Sequence, residues 1–552
     1  MIALVPQPRI VREQPGELVI QEELGYVAGD GAFHSAIHLI QERLWNGAKI
    51  RVNPATAQLN AARAALTFQW VPDIPNEGYS LDVSREGIRI AASSSAGAYY
   101  AAESLIQLCD PEIYREGVIR PLELRIPAVH IEDCPKFIWR GLLIDVARHF
   151  LPKRELFRVI EVMALHKFNR LHLHLTDDQG WRPEIKAFPN LTRVGSWRKS
   201  TQFGADDRNS PETNLPHGGY YTQEELREIV AFAAERAIEV IPEIDVPGHS
   251  QAAIAAYPQL GLANAANVEV WSRFGVSPYP LNAEDSTIDF YATVLGELAE
   301  IFSSPLMCIG GDEVPSDAWA ADARARQRTA ELGLSHPREL QQWFVNSIAK
   351  RVVQLGKVPM EWDDVLAHGV AAGAEVNSNG SNPPVILAWR GDRSVQRAID
   401  LGFRVVSCPD THAYLSYRQS ALATEPTPVG IVLTTQDVYN FDPVPRGCSP
   451  EAQWLVLGGQ GNLWAEHLDD PRRRDYMLWP RACALAETLW SGTGDYSEFS
   501  VRLTAHLQRL DAVGIEYRHE QGPYPWQERP GAAGRKQTLA EREAEISNLL
   551  SV

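Results

Sequence analysis

The order of apolar and polar residues divides the chain into two regions of different character. In the first, Tyr79–Val83 and Gly87–Ala91 alternate apolar and polar positions, which predicts two half-buried strands of a hairpin. The next segment, Ala96–Leu108, has the spacing of a helix. No cluster of reactive side chains falls in this region, so residues 1–134 are predicted to form a small α+β domain with a packing role.

From Trp139 onward, short apolar runs alternate with helix-sized segments. Such alternation is typical of parallel strands connected by helices, and eight repeats predict a (β/α)₈ TIM barrel. Prolines inside two of the runs count locally against a strand, because proline cannot donate to a ladder. We predict the α/β barrel over residues 135–495 and a mostly helical segment over 496–552. The eight runs are Gly141–Val146, Leu171–Leu175, Glu239–Ile244, Pro305–Ile309, Val358–Trp362, Val385–Trp389, Phe403–Ser407 and Leu455–Gly459.

Composition narrows the classes of partner. The formal net charge of −18 argues against nucleic acid and anionic membranes as main partners. No apolar run approaches the roughly 18 residues of a membrane span. The first residues show neither a basic region nor a long apolar core, so we expect a cytoplasmic protein, or a secreted or periplasmic one if a leader is missing. The six cysteines are scattered without a CxxC pair, which favours buried thiols over disulfides or a zinc cluster.

Polar and aromatic residues follow nearly every predicted barrel strand. Active sites of (β/α)₈ barrels lie at the carboxyl ends of the strands, so these residues should converge on one rim. The fourth run is followed by two glycines and then by adjacent carboxylates, Asp312 and Glu313. The other candidates at strand ends are Arg148, Asp177, His249, Trp362, Trp389, Tyr414, Trp464 and Glu466.

One chemistry that could use this rim is metal-dependent hydrolysis. His172 and His174 are two residues apart, so on a strand they face the same side, and Asp177 and His249 could complete a metal site. We favour a structural role for both histidines, because the later strands end in tryptophans rather than in a ligating carboxylate. We therefore expect no metal and no cofactor. A sugar-binding barrel that has lost catalysis is a further alternative, but it requires the acid to be missing, and Glu313 is present.

Glycoside hydrolysis accounts for the paired acids in one of two ways. Two opposed carboxylates normally come from different strands, and neighbours on one strand point to opposite faces. Asp312 and Glu313 are better suited to a reaction in which Glu313 is the general acid/base and Asp312 orients a 2-acetamido group of the substrate as nucleophile. The tryptophans would enclose the acetamide methyl group. Glu313 must then be protonated, and we expect burial and the charge of Asp312 to raise its pKa.

Five motifs carry a family resemblance that spans about residues 139–490. The chain resembles glycoside hydrolase family 20, the β-N-acetylhexosaminidases, in which an N-terminal α+β domain is also usual. Substrate-assisted catalysis in this family is a known exception to the two-carboxylate rule. The motifs are Asp145–His149, His172–Trp181, Glu243–His249, Ile309–Val314 and Trp464–Glu466.

The resemblance implies a role for each candidate. Glu313 is expected to be the general acid/base, and Asp312 to orient and polarise the acetamide. Arg148 is expected to hold the 3- and 4-hydroxyls, and Glu466 to accept from the 4- and 6-hydroxyls. Tyr414 would bond the acetamido oxygen. The remaining matches are Asp177 and His249, which support the acid and the sugar site, and Trp362, Trp389 and Trp464, which form the pocket walls.

The implied reaction is exo-acting and retaining. It removes terminal, non-reducing, β-linked N-acetylglucosamine or N-acetylgalactosamine from an oligosaccharide or glycoconjugate through an oxazolinium intermediate. We predict no nucleic-acid or membrane partner and leave a homodimer open. One position departs from the family pattern: Ser416 stands where an Asp or Asn near the 4- and 6-hydroxyls is usual. A shorter, neutral side chain predicts looser discrimination at C4 and C6.

Overall fold

The computed structural model describes residues 2–29, 31–55, 65–119, 123–205, 209–366, 383–426 and 429–551. Its N-terminal part is a mixed seven-stranded sheet of order β1-β7-β5-β6-β4-β2-β3, with the helices His34–Ala48 and Ser95–Gln107 packed together beside it. The predicted hairpin is the antiparallel pair β5–β6. The strands are β1 (Ile10–Ile20), β2 (Glu23–Val27), β3 (Arg51–Pro54), β4 (Ala65–Trp70), β5 (Tyr79–Ser84), β6 (Gly87–Ala92) and β7 (Leu124–Asp133).

The second part is a closed barrel, which confirms the predicted fold class. Its strands are all parallel and follow the order β14-β15-β16-β17-β18-β20-β8-β9. The strands after β7 are β8 (Trp139–Asp145), β9 (Arg170–His174), β10 (Thr176–Asp177), β11 (Gly180–Trp181), β12 (Trp197–Arg198), β13 (His217–Gly218), β14 (Glu239–Glu243), β15 (Leu306–Cys308), β16 (Val358–Trp362), β17 (Val385–Ala388), β18 (Arg404–Ser407), β19 (Val429–Gly430), β20 (Val456–Leu463) and β21 (Arg535–Lys536).

Each of the eight predicted runs overlaps a barrel strand, including β14 and β16, which carry the prolines. Near-continuous burial explains why these runs lack polar alternation, because parallel strands are covered on both faces. Two strands differ most from the expected lengths. The fourth strand is only three residues long, and the last extends to Leu463, four residues beyond the predicted end.

Amphipathic helices surround the barrel. Lys153–Leu165, for example, buries Leu156, Val159, Ile160 and Met163, the positions expected from its spacing. Among the described residues, no helix combines the length and apolar composition that crossing a bilayer requires. Among the described residues, the helices from Lys153 to the end of the barrel are Lys153–Leu165, Asn190–Arg193, Gln223–Ala234, Gln251–Ala256, Asp285–Ala299, Ser316–Ala321, Ala323–Glu331, Glu339–Gln354, Asp392–Asp400, Asp410–Ala413, Thr435–Tyr439, Pro471–Leu478 and Arg481–Ser491.

The C-terminal segment is more than a helical cap. Helix Tyr496–Val513 is followed by an irregular stretch and by β21, which pairs in parallel with β19 from the loop after the seventh barrel strand. The last helix, Leu539–Ser551, follows directly. This pairing brings the end of the chain to the rim of the barrel.

The junction between the N-terminal sheet and the barrel contains fully buried charges. Lys167 Nζ lies 3.0 Å from Asp133 Oδ2 and donates to the hydroxyl of Tyr79 at 2.9 Å. Tyr79 in turn donates to Asp133 at 2.7 Å, and the indole N–H of Trp490 donates to the same carboxylate at 2.9 Å. Each buried charge here therefore has both an ion-pair partner and hydrogen bonds, the condition under which burial is tolerated.

Candidate active site

A pocket of about 120 Å³ lies at the carboxyl ends of the barrel strands. Eight of the ten residues singled out from the sequence line it, together with one that was not. The other two, Asp177 and His249, are buried directly behind it. The lining residues are Arg148, Asp312, Glu313, Trp362, Trp389, Tyr414, Trp464, Glu466 and Arg542.

Four aromatic rings form adjoining walls of the pocket. The ring centroids of Trp362 and Trp464 are 5.8 Å apart, those of Tyr414 and Trp464 6.1 Å, and those of Trp389 and Tyr414 6.5 Å. The indole N–H groups of Trp362 and Trp389 donate to buried carboxylates outside the pocket, at 2.8 and 2.9 Å. The rings are thereby held in place, and their apolar surfaces are left to contact a ligand.

Two glycines create the turn that delivers the paired acids. Gly310 and Gly311 have φ of +68° and +96°, which glycine adopts without strain. A Cβ on Gly310 would lie 1.8 Å from Asp245 Oδ1, so no larger residue fits there. Glu313 itself has φ of +45°, and its backbone N–H donates to Asp364 Oδ1 at 3.1 Å. Backbone strain at a non-glycine residue of this kind is typical of functional sites.

The paired acids follow the strand rather than lying within it. The strand ends at Cys308, so the alternation of faces that we applied to Asp312 and Glu313 was the wrong reason for separating their roles. The left-handed turn separates them instead. Asp312 is 14% exposed, whereas the side chain of Glu313 is 45% exposed to the pocket.

Asp312 has an unmet hydrogen-bonding capacity. Its Oδ1 atom is buried and accepts no hydrogen bond among the described residues. Burial raises the pKa of Asp312 well above its usual range, and the charge of nearby Asp245 adds to the effect. An acceptor that is withdrawn from water but lacks a donor is costly, and such groups at a pocket surface are candidates for contact with a ligand.

The expected rise in the pKa of Glu313 is wrong. Burial does raise it, but the hydrogen bond and positive charge of His249 outweigh burial, so the pKa of Glu313 is lowered. His249 Nε2 lies 3.4 Å from Glu313 Oε2, and its Nδ1 lies 3.3 Å from Asp177 Oδ1. These carboxylates raise the pKa of His249 well above its usual value despite its burial. His249 thus bridges Asp177 and Glu313 as a cation.

Arg148 and Glu466 form the charged side of the pocket. Arg148 Nη2 lies 2.8 Å from Asp177 Oδ2, its Nη1 donates to Asp145 Oδ2 at 3.2 Å, and its guanidinium lies 5.1 Å from the ring centre of Trp464. Burial raises the pKa of Glu466, and the attraction of Arg148 offsets this only in part. A buried arginine beside an acceptor carboxylate is suited to the hydroxyl groups of a sugar.

The two strand histidines belong to a hydrogen-bonded network below the pocket. His174 lies 2.6 Å from Glu243 through Nδ1 and 2.9 Å from Asp177 through Nε2. His172 Nε2 lies 3.1 Å from Glu243. Both ring nitrogens of His174 are therefore occupied by carboxylates, which favours its interpretation as a support for Asp177 over its interpretation as a metal ligand.

Sequence reasoning missed two residues of the site. Asp364 accepts hydrogen bonds from Trp389, Arg390 and the backbone of Glu313, and it follows β16 at the rim, so the rule that identified the other candidates applied to it as well. Arg542 belongs to the last helix, outside the barrel strands, and no local signal marks it. Ser416 is partly buried and is not among the lining residues.

The barrel, the aromatic walls and the paired acids together define a glycosidase-like site, and comparison with known proteins identifies the family. Residues 137–493 match the model of the glycosyl hydrolase family 20 catalytic domain, and residues 1–134 match domain 2 of the same family. The chain therefore belongs to glycosyl hydrolase family 20.

Relatives and solved structures agree with this assignment. A beta-hexosaminidase of Porphyromonas gingivalis is 36% identical over 466 residues, which cover 83% of this chain and 56% of that protein. A beta-hexosaminidase of Akkermansia muciniphila is 33% identical over 453 residues, which cover 80% of this chain and 85% of that protein. The exo β-N-acetylglucosaminidase of Vibrio harveyi, solved with N-acetylglucosamine, superposes with a TM-score of 0.80 at 32% identity. The superposition covers 94% of this chain and 78% of that chain. The chain thus spans little more than half of the Porphyromonas relative.

Proposed function

We propose that this protein is a retaining, exo-acting β-N-acetylhexosaminidase that uses the acetamido group of its substrate as the nucleophile. The observation that carries the proposal is the buried Oδ1 of Asp312, which lies beside three tryptophans and has no hydrogen-bond partner among the described residues. An acetamide group complements this part of the pocket in two ways: its N–H can donate to Asp312, and its methyl group can pack against the apolar walls.

Binding of the sugar would reverse the protonation preferences of the two acids. An N–H donated to Asp312 favours its ionised form, so its raised pKa falls when the acetamide binds. A sugar that covers the exposed side chain of Glu313 removes water from it and raises its pKa. The bound complex therefore holds an anionic Asp312 beside a protonated Glu313, the state that the reaction needs.

The reaction then proceeds in two steps. Glu313 donates its proton to the glycosidic oxygen while the acetamido carbonyl oxygen attacks the anomeric carbon, giving an oxazolinium ring whose developing positive charge is stabilised by Asp312. Glu313 next removes a proton from water, which opens the ring with the original anomeric configuration. His249 and Asp177 position the carboxyl group of Glu313, and Arg148 and Glu466 hold the sugar hydroxyls.

A comparison of two substrates tests the proposal. We expect turnover of p-nitrophenyl N-acetyl-β-glucosaminide to exceed that of p-nitrophenyl β-glucoside by about 10³-fold or more, because the glucoside has no internal nucleophile. Activity should survive EDTA. Comparable turnover of the two glycosides, or loss of activity on chelation, would contradict the mechanism.

A further inference from the structure

The last helix of the chain places a charged side chain in the active-site pocket. Arg542 lines the pocket together with Glu313 and Trp389. It lies beyond residue 493, where the match to the catalytic-domain family model ends. The role of Arg542 must therefore be argued from its own contacts.

Two carboxylates hold the guanidinium of Arg542 in one orientation. Its Nε donates to Asp410 Oδ2, and its Nη1 donates to Glu545 Oε2 at 2.8 Å. Glu545 also accepts a hydrogen bond from Gln537 Nε2 at 2.9 Å, and the backbone N–H of Gln537 donates to Gly430 O at 3.1 Å. The arginine is thus fixed to the rim before any ligand binds, so little side-chain entropy is lost on binding.

One end of this guanidinium remains available. Within the described part of the chain, no hydrogen bond from Arg542 Nη2 is found, and the side chain is 14% exposed. Because Asp410 and Glu545 already offset its positive charge, the free N–H groups are suited to a neutral oxygen acceptor rather than to an anion. Sugar hydroxyl and ring oxygens are acceptors of this class.

Arg542 lies on the side of the pocket that Glu313 also lines. Its guanidinium is 5.8 Å from the ring centre of Trp389, and its charge contributes to the lowered pKa of Glu313. The side chain of Glu313 is 45% exposed, so the pocket opens to solvent beside it. Given the proposed function, Glu313 protonates the glycosidic oxygen, so the space beside it is where the leaving group sits.

We propose that Arg542 is a specificity-determining residue for the leaving group, donating a hydrogen bond from Nη2 to an oxygen of a neutral sugar beyond the scissile bond. This inference rests on the proposed function and extends it, since it predicts a preference for saccharide leaving groups over aryl groups. The C-terminal helix is then part of the substrate site.

The test compares two leaving groups in one variant. Arg542→Met should lower kcat/KM for the β-1,4-linked disaccharide of N-acetylglucosamine by about tenfold or more, as expected for the loss of a charged donor. Phenyl N-acetyl-β-glucosaminide offers no acceptor beyond the glycosidic oxygen, so its kcat/KM should change by less than about twofold. Glu543→Gln, an exposed position on the same helix, serves as the matched control and should change neither value.

A second variant covers the case in which methionine disturbs the helix. Arg542→Lys retains a cation for Asp410 but lacks the second donor arm, so the selective loss on the disaccharide should persist. An equal loss on both substrates, which a contact with the non-reducing sugar or a structural role would produce, would overturn the proposal, as would an unchanged rate on the disaccharide. Wild-type turnover of the phenyl glycoside reports separately on the proposed function.

Discussion

The pocket and the junction beneath the N-terminal sheet both bury charged side chains, but they satisfy them differently. At the junction, Asp133 receives hydrogen bonds from Lys167, Tyr79 and Trp490. In the pocket, one oxygen of Asp312 has no partner in the described part of the protein. Complete pairing makes buried charge tolerable and makes the loss of one partner costly, whereas incomplete pairing lowers stability and leaves an atom free to bind a ligand. Changes in the two regions should therefore separate activity from stability.

The largest effect is expected at Glu313. Glu313→Gln removes the proton donor but keeps the shape of the side chain, so kcat for phenyl N-acetyl-β-glucosaminide should fall by about 10³-fold. The loss should be smaller for a p-nitrophenyl leaving group, which needs less protonation. Substrate binding should change little, whereas the free energy of unfolding should fall modestly at pH 7, because the lowered pKa of Glu313 means that its ionised form stabilises the folded state. Near-normal turnover of the phenyl glycoside would refute the assignment of the acid.

Replacing Asp312 should lower the activity without lowering the stability of the protein. Asp312→Asn is expected to lower kcat by about 10²-fold and to affect KM less, because its interaction strengthens in the transition state.

The pKa of Asp312 is raised in the folded protein, so the folded state loses stability as the pH rises above the unfolded pKa of about 4. An asparagine side chain does not ionise, so Asp312→Asn removes this loss of stability. Urea denaturation at pH 4 and pH 7 should show the variant to be as stable as the parent or more stable, with the difference larger at pH 7. A clear destabilisation at pH 7 would contradict the contrast between the two regions.

The junction should respond in the opposite way. Lys167→Met leaves the carboxylate of Asp133 buried without its cation, so the free energy of unfolding should fall by about 3 kcal/mol. The kcat/KM of the folded protein should stay within about twofold. Lys199→Met is the matched control, because its ion pair with Glu269 is exposed and should be worth less than about 1 kcal/mol. A loss of activity without a loss of stability would reverse the interpretation.

The smallest effect is expected at Ser416. We predict that the wild-type protein discriminates between N-acetylglucosaminides and N-acetylgalactosaminides by less than about 100-fold. Ser416→Asp restores a charged acceptor and should increase the ratio of the two kcat/KM values by about three- to tenfold. This ratio is measured with the p-nitrophenyl glycosides of both sugars. A wild-type preference beyond about 100-fold would exclude the looser selectivity.

Local patterns were sufficient for the barrel and most of its rim. Buried parallel strands are short apolar runs, and their carboxyl ends share one edge, so residues such as Trp362 and Glu313 could be assigned together. The lowered pKa of Glu313 could not be predicted, because it depends on His249, which approaches from the end of another strand. Arg542 could not be found either, because its position depends on β21 pairing with β19 across about a hundred residues of chain.

The central claim is that Asp312 holds the acetamido group as it becomes the nucleophile. A thiazoline analogue of N-acetylglucosamine mimics the oxazolinium intermediate, so its inhibition constant measures this claim directly. We predict that the wild-type protein binds the thiazoline at least about 10²-fold more tightly than N-acetylglucosamine, and that Asp312→Asn loses most of this difference. Equal affinities for the two compounds in the wild-type protein would contradict the account.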